Sequence, residues 1–168
     1  GSSTVQIFYN DVKVPVYNLL GRRGEGFRIA LNILHMGRLK LGANVIGLSK
    51  RATTQSVNYA NERKQFGTFI SSFGSIKHKL AEQVIKAFTN ESAVYRATKD
   101  VDVAAEINKA AGKEYGPANM EAFAEFAPEA AIMKVYGSES LDYIADETVQ
   151  IMGGMGFSAE MPADRAYR

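Results

Sequence analysis

"FRIALNILHMGRLKLGANVIGLSKRATTQSVNYANERK", residues 27–64, is the stretch on which the fold turns. Phe27, Leu31, Leu34, Leu41, Val45 and Leu48 recur at helical spacing, and the pattern runs on through Val57 to about Lys64. No proline interrupts it. The spacing predicts one continuous rod of roughly 40 residues starting at Gly26, far longer than the mean helix of about 11–12 residues.

Downstream, "GTFISSFGS" (67–75) supplies the glycines and serines of a turn. Ser75 is the expected N-cap of a second helix, with Ile76, Leu80, Val84, Ala87 and Val94 on one face. After Asp102 the pattern weakens, and Gly112, Gly116, Pro117 and Pro128 break an alanine-rich segment. One or two short helices are expected in this excursion between long ones. A strong helix resumes at about Pro128, which suits a first turn. It carries Leu141, Ala145, Val149 and Met152 on one face and stops in "VQIMGGMGF" (149–157). "MPADRAYR" (161–168) then begins another helix. Upstream, Val5, Ile7 and Tyr9 alternate as in a short strand, and "NDVKVP" reads as an extended connector. A lone strand cannot complete its own ladder, so its partners are expected outside this chain. The fold class predicted is all-α: an antiparallel up-and-down four-helix bundle, preceded by one short β-strand segment.

With 168 residues, 46% of them apolar, the chain can bury a sizeable core and is not of disordered composition. Arg38, Lys40, Lys50 and Arg51 interrupt the greasiest region, so no apolar run reaches the ~20 residues of a membrane span. A net charge of +2 gives no argument for nucleic acid. The lack of cysteine removes disulfides, thiolate metal sites and cysteine nucleophiles together. The first residues show no targeting pattern. The absence of an initiator methionine leads us to expect a piece of a longer protein.

Several places carry chemistry in their residue types. Gly153 and Gly154 close a helix, where one glycine would suffice for a cap. The second lets another molecule approach bare backbone. In "NERKQFG" (61–67), Arg63 and Lys64 offset the negative end of a helix dipole. The same arginine beside Phe66 suits a pyrophosphate and a flat ring. Arg38 stands in an apolar run, so it reaches either water or a ligand or carboxylate. Gly37 beside it costs the helix about 1 kcal/mol relative to alanine, as if leaving room. His35 reads as packing and His78 as surface. Glu121, Glu125 and Glu129 read as a solvated face. The histidines and acids have no metal-ligand spacing, and no nucleophile turn is present.

The order of these pieces is more specific than any one of them. "IFYNDVKVP", "LLGRRGEGF", "ILHMGR", "YANERKQFG", "VQIMGGMGF" and "ADRAYR" follow one another along nearly the whole chain. This succession resembles the acyl-CoA dehydrogenase family, closest to its very-long-chain branch. It runs from the last strand of the family's middle β-domain (1–22, with the connector) into its C-terminal helical bundle (23–168), truncated before the last helix. The excursion at 108–126 is longer than usual for that family.

The resemblance implies an FAD enzyme of fatty-acid β-oxidation. It would oxidise acyl-CoA to trans-2-enoyl-CoA and pass electrons to an electron-transferring flavoprotein. It implies cofactor contacts at Arg63, Gln65, Phe66 and Phe73, and at Gln150, Ile151, Gly153 and Gly154, made to the FAD of a neighbouring subunit. It places Gly37 and Arg38 at the substrate's thioester end. No catalytic residue is assigned here, because the family's glutamate is expected downstream of Arg168, and no metal is implied. A homodimer or dimer of dimers follows, in the bacterial cytoplasm or alternatively the mitochondrial matrix, with no nucleic acid. An acyl-CoA oxidase, a flavin monooxygenase of the same fold and a non-catalytic helical interaction module are the alternatives.

Overall fold

The computed structural model describes residues 3–161, Ala163 and Tyr167. Its body is three long helices, α1 (Gly26–Glu62), α2 (Gly74–Ala110) and α4 (Ala127–Met152), with a shorter α3 (Tyr115–Glu125) before α4. Ser56 meets Thr148 and Tyr59 meets Met152, so α1 and α4 run parallel. Asn90 meets Gly42 and Gln83 meets Thr148, so α2 runs antiparallel to both. The all-α, up-and-down bundle is therefore borne out. Of the helix expected in "MPADRAYR", Met161 lies in a bend, Ala163 and Tyr167 are helical, and the rest lies outside the described residues.

Pro128 sits in the first turn of α4, as expected. Other expectations are corrected. Val5–Tyr9 pairs with no strand among the described residues, the partners expected for it lying outside this chain, and residues 3–24 are exposed throughout. Without a neighbouring strand, alternation has no ladder to join. β structure appears instead as a small hairpin, β1 (Lys64–Gln65) and β2 (Thr68–Phe69), in register Lys64↔Phe69. Ser75 is not a cap. α2 starts at Gly74, two residues earlier than that cap implies; Phe73 occupies the cap position without a side-chain cap, and its carbonyl accepts from Lys77 N–H at 3.0 Å. α2 also continues past Asp102 to Ala110, and Gly112, at φ 89°, makes the turn.

The larger correction concerns the face α1 buries. Phe27, Leu34 and Leu48 of the expected stripe point outward at 77%, 54% and 48% exposure, and only Val45 of that set is buried. The face actually buried is Leu39, Gly42, Val45, Ser49, Ala52, Thr53, Ser56 and Ala60, mostly small residues. In α2 the expected face holds better: Ala87 and Val94 are buried and Ile76 and Leu80 half-buried, only Val84 is outward, and Gln83, Asn90, Ala97 and Val101 complete the inner face.

Small residues go inside because two glycines bring α1 and α4 together. A Cβ on Gly137 would lie 2.9 Å from Val45 Cγ2 and 3.4 Å from the Cα of Gly42. A Cβ on Gly42 would meet Met133 Cβ and Val94 Cγ2, each at 3.1 Å. Beside this crossing the buried Asn90 amide of α2 donates to the Gly42 carbonyl at 3.3 Å. At the other side α3 seats Ala118 and Ala122, both fully buried, and Ala122 packs with Leu39, Val101 and Met133.

Towards the far end of α1 the interior is polar. Ser56 Oγ donates to Thr148 Oγ1 at 2.9 Å, and Thr148 Oγ1 donates to the Ile144 carbonyl at 2.7 Å. Gln83 Nε2 reaches the same two acceptors at 3.4 Å. A buried donor left without its acceptor costs about 1–3 kcal/mol, whereas removing both partners costs less. Thr148→Val should therefore destabilise by about 2 kcal/mol in a urea melt. The double variant with Ser56→Ala should cost less than the sum of the two single changes. Strict additivity would show that Ser56 and Thr148 are not coupled.

Candidate functional site

Where α1 and α4 both end, the molecule opens into a cleft of about 360 Å³. Tyr59, Arg63, Gln65 and Ile70 form one wall, and Ile151 through Met155 form the other. The first wall arises because α1 cannot continue past Glu62. Arg63 turns extended at φ −78° and ψ 124°, with its N–H held by the Tyr59 carbonyl at 2.9 Å. The chain folds back through β1 and β2, and the Ile70 N–H closes onto the Arg63 carbonyl at 2.9 Å.

At the hairpin tip Phe66 and Gly67 have φ of 53° and 80°. Paired positive φ values match a two-residue hairpin turn, but a bulky residue there is an outlier. Phe66 is also 93% exposed, in edge contact with Phe73 at 6.3 Å between centroids. The strained backbone thus presents an aromatic ring to the outside. Phe73 itself is half-buried and packs with Ala60, Ile70 and Ile151.

The three glycines after α4 do different jobs. Gly153 takes φ 56° and ψ −136°, open to glycine without strain, and bonds back to the Gln150 carbonyl. Gly156 is demanded by packing, since a Cβ there would sit 2.6 Å from the Val149 carbonyl oxygen. Gly154 has neither reason. Its φ is not positive and an added Cβ would meet nothing within 4 Å. What its missing side chain frees is backbone on the cleft wall.

Electrostatics at the cleft is a contest. Two helix C-termini converge there, each carrying roughly half a negative charge at its end. Arg63 and Lys64 oppose that field, and Lys64 Nζ also lies 4.6 Å from the Phe69 ring centroid. An anion in the cleft would be held by the guanidinium and by turn amides, against the helix dipoles rather than with them. Away from the cleft, burial pushes the Tyr143 phenol above its ordinary range, and the Glu147 and Glu82 carboxylates add to it. Lys86 Nζ sits 4.7 Å from that ring's centroid.

The structure thus brings Arg63, Gln65, Ile151, Gly153 and Gly154 to one cleft, with Phe66 and Phe73 on the hairpin and α2 start beside it. Gln150 is exposed in the last turn of α4 and is not among the lining side chains. Gly37 and Arg38 are not in the cleft. At 1.5 Å per residue they lie about 37 Å up α1 from Arg63. Arg38 Nη1 lies 3.1 Å from His35 Nδ1. Arginine only donates, so His35 Nδ1 is the accepting side of this contact. Gly37 opens to free space. Sequence reasoning missed Tyr59, Ile70, Met152 and Met155. Tyr59 lies one helical turn before Arg63, a spacing that places both on one face.

The family model described as "Acyl-CoA dehydrogenase, C-terminal domain" matches residues 24–168. A "Probable acyl-CoA dehydrogenase" of Bacillus subtilis is 42% identical over 100% of the chain, which spans 28% of that relative. The mitochondrial "Very long-chain specific acyl-CoA dehydrogenase" of Rattus norvegicus is 37% identical over 99% of the chain, 23% of its own length. Among solved structures, an acyl-CoA dehydrogenase complexed with FAD from Bacillus anthracis superposes with a TM-score of 0.81. It is 44% identical and covers 92% of the chain and 26% of that structure.

Proposed function

The chain belongs to the acyl-CoA dehydrogenase family, and from that premise we propose that its cleft takes the diphosphate half of FAD. In this reading the whole protein oxidises acyl-CoA to trans-2-enoyl-CoA in fatty-acid β-oxidation. The observation that carries it is Gly154, a glycine that neither conformation nor packing requires, facing Arg63 across the cleft. A guanidinium suits a diphosphate bidentately, and bare peptide lets it come close. Phe66 offers its face to a flat ring, and Gln65 adds hydrogen-bonding capacity. FAD, when bound, supplies the hydride acceptor. The chain's own part is to bind and orient.

Gly37 and Arg38 are assigned to the thioester end of the substrate, where His35 holds the guanidinium. Their distance from Arg63 supports a shared site: the cleft of one subunit serves the flavin of another. At least a homodimer follows, and a dimer of dimers is compatible. No residue of this chain is assigned proton abstraction. Residues 1–22 are assigned to the neighbouring β-domain and 23–168 to the helical domain. An electron-transferring flavoprotein is the expected oxidant. No helix among the described residues is long and apolar enough to cross a membrane. The similarity to a Bacillus subtilis relative supports the bacterial cytoplasm as the compartment, and that to a mitochondrial one supports the matrix as the alternative.

Titrating ADP into the isotope-labelled chain should move the amide resonances of Gly153 and Gly154, with binding near a millimolar. The same chain should retain no FAD through gel filtration and reduce no dye with palmitoyl-CoA. Stoichiometric flavin retention would show that the cofactor needs no other domain. Unmoved glycine resonances at saturating ADP would remove the cleft from the site.

A further inference from the structure

Tyr59 touches both walls of the cleft. Its backbone carbonyl accepts the Arg63 N–H at 2.9 Å, and its hydroxyl donates to the Met152 carbonyl at 3.2 Å. The first contact is the last hydrogen bond of α1 and fixes the point at which Arg63 leaves the helix. The second satisfies a carbonyl in the last turn of α4, where carbonyls lack intrahelical partners. Met152 is buried, and the next residue is Gly153 in its positive-φ conformation. The ring body is half-buried and packs on the cluster of Ala60, Ile70 and Ile151, so the hydroxyl has little freedom to leave. One side chain therefore ties the origin of the guanidinium to the origin of the glycine turn.

We propose that Tyr59 is the positioning residue of the cleft: its hydroxyl sets the gap between Arg63 and Gly153–Gly154, and so the fit to a diphosphate. This rests on the cleft being a diphosphate site. Its consequence is that one hydrogen bond inside the protein, from the Tyr59 hydroxyl to the Met152 carbonyl, controls affinity.

The test compares the chain carrying tyrosine, Tyr59→Phe, and p-aminophenylalanine at position 59, with ADP as the ligand. A neutral hydrogen bond of this kind corresponds to about a five- to tenfold change in affinity. Tyr59→Phe should weaken ADP binding by that factor, while its melting temperature without ligand falls by only a few degrees. The p-amino group still donates and should restore affinity to within about twofold, a rescue that a merely structural role for the ring would not produce. If Tyr59→Phe does not fold, p-fluorophenylalanine, which keeps the ring and its length but donates nothing, takes its place. ADP affinity equal in tyrosine, Phe and p-amino forms, with binding still lost in Arg63→Glu, overturns this proposal and leaves the cleft intact. No ADP binding in any form, with the glycine resonances unmoved, overturns the cleft reading and this one with it.

Discussion

Gly137→Leu should lower the melting temperature by roughly 10 °C or leave the chain unfolded at room temperature. The space is already closed at the first atom. A Cβ at 137 would lie 2.9 Å from Val45 Cγ2 and 3.2 Å from Asn90 Oδ1. Val45 cannot turn aside cheaply, because a β-branched residue in a helix holds one χ1 rotamer. Asn90 cannot withdraw either, because its amide donates to the Gly42 carbonyl at the same crossing. Four added carbons must therefore push α4 away from α1, along the most extensive helix–helix contact in the molecule. Overpacking costs about 1–3 kcal/mol when neighbours can adjust, and more when they cannot. A domain of this size loses about 2–4 °C per kcal/mol. Gly47→Leu is the control: it lies in α1, exposed, with nothing within 4 Å of an added Cβ. It should gain most of the ~1 kcal/mol by which glycine disfavours a helix. Equal melting temperatures for the two variants would show that the helices do not approach as closely as described.

That crossing also explains what could be read in the sequence and what could not. Helix positions were legible because a period sustained through α1, from Gly26 to Glu62, survives noise, and Pro128 marks a helix start by its missing N–H. The buried face of α1 was misread because hydrophobic periodicity weighs Leu34 and Leu48 heavily and Gly42 and Ser49 not at all. In a bundle held by close approach, small residues are the contact, and large apolar ones are left for the outside. Ser56, Gln83 and Thr148 were equally invisible, since a buried hydrogen-bond network depends on which residues meet across helices.

At the site, motif order singled out Arg63 and Gly153, which the fold then brings into one cleft from residues 90 apart in sequence. The tasks of the three glycines separated only once φ values and neighbouring atoms were known. Phe66 at positive φ had a sequence signal, the glycine that follows it in a tight hairpin, but nothing in "KQFG" says which residue would carry the strain.

The second large effect belongs to Arg63. Arg63→Glu should abolish saturable ADP binding, a loss of at least a hundredfold, while Arg63→Gln should weaken it about tenfold. Hydrogen bonds to charged groups contribute about 1.5–3 kcal/mol each. Glutamine forfeits the charge but keeps a donor, whereas glutamate places an anion against an anion. The helix ends make the reversal worse. α1 and α4 both terminate at this cleft, so a carboxylate at 63 joins two negative dipole ends that the guanidinium had offset. That arrangement separates binding from folding. The dipole penalty is within roughly 1 kcal/mol on an exposed end, so both variants should melt within a few degrees of the parent. Salt gives an independent reading. Affinity of the parent for ADP should fall steadily as ionic strength rises, because the cleft is open and its charges are screened over about 10 Å at 0.1 M. The glutamine variant should respond much less. An Arg63→Glu protein that binds ADP within threefold of the parent would mean that turn amides alone hold the anion, and that Arg63 serves α1 rather than the ligand.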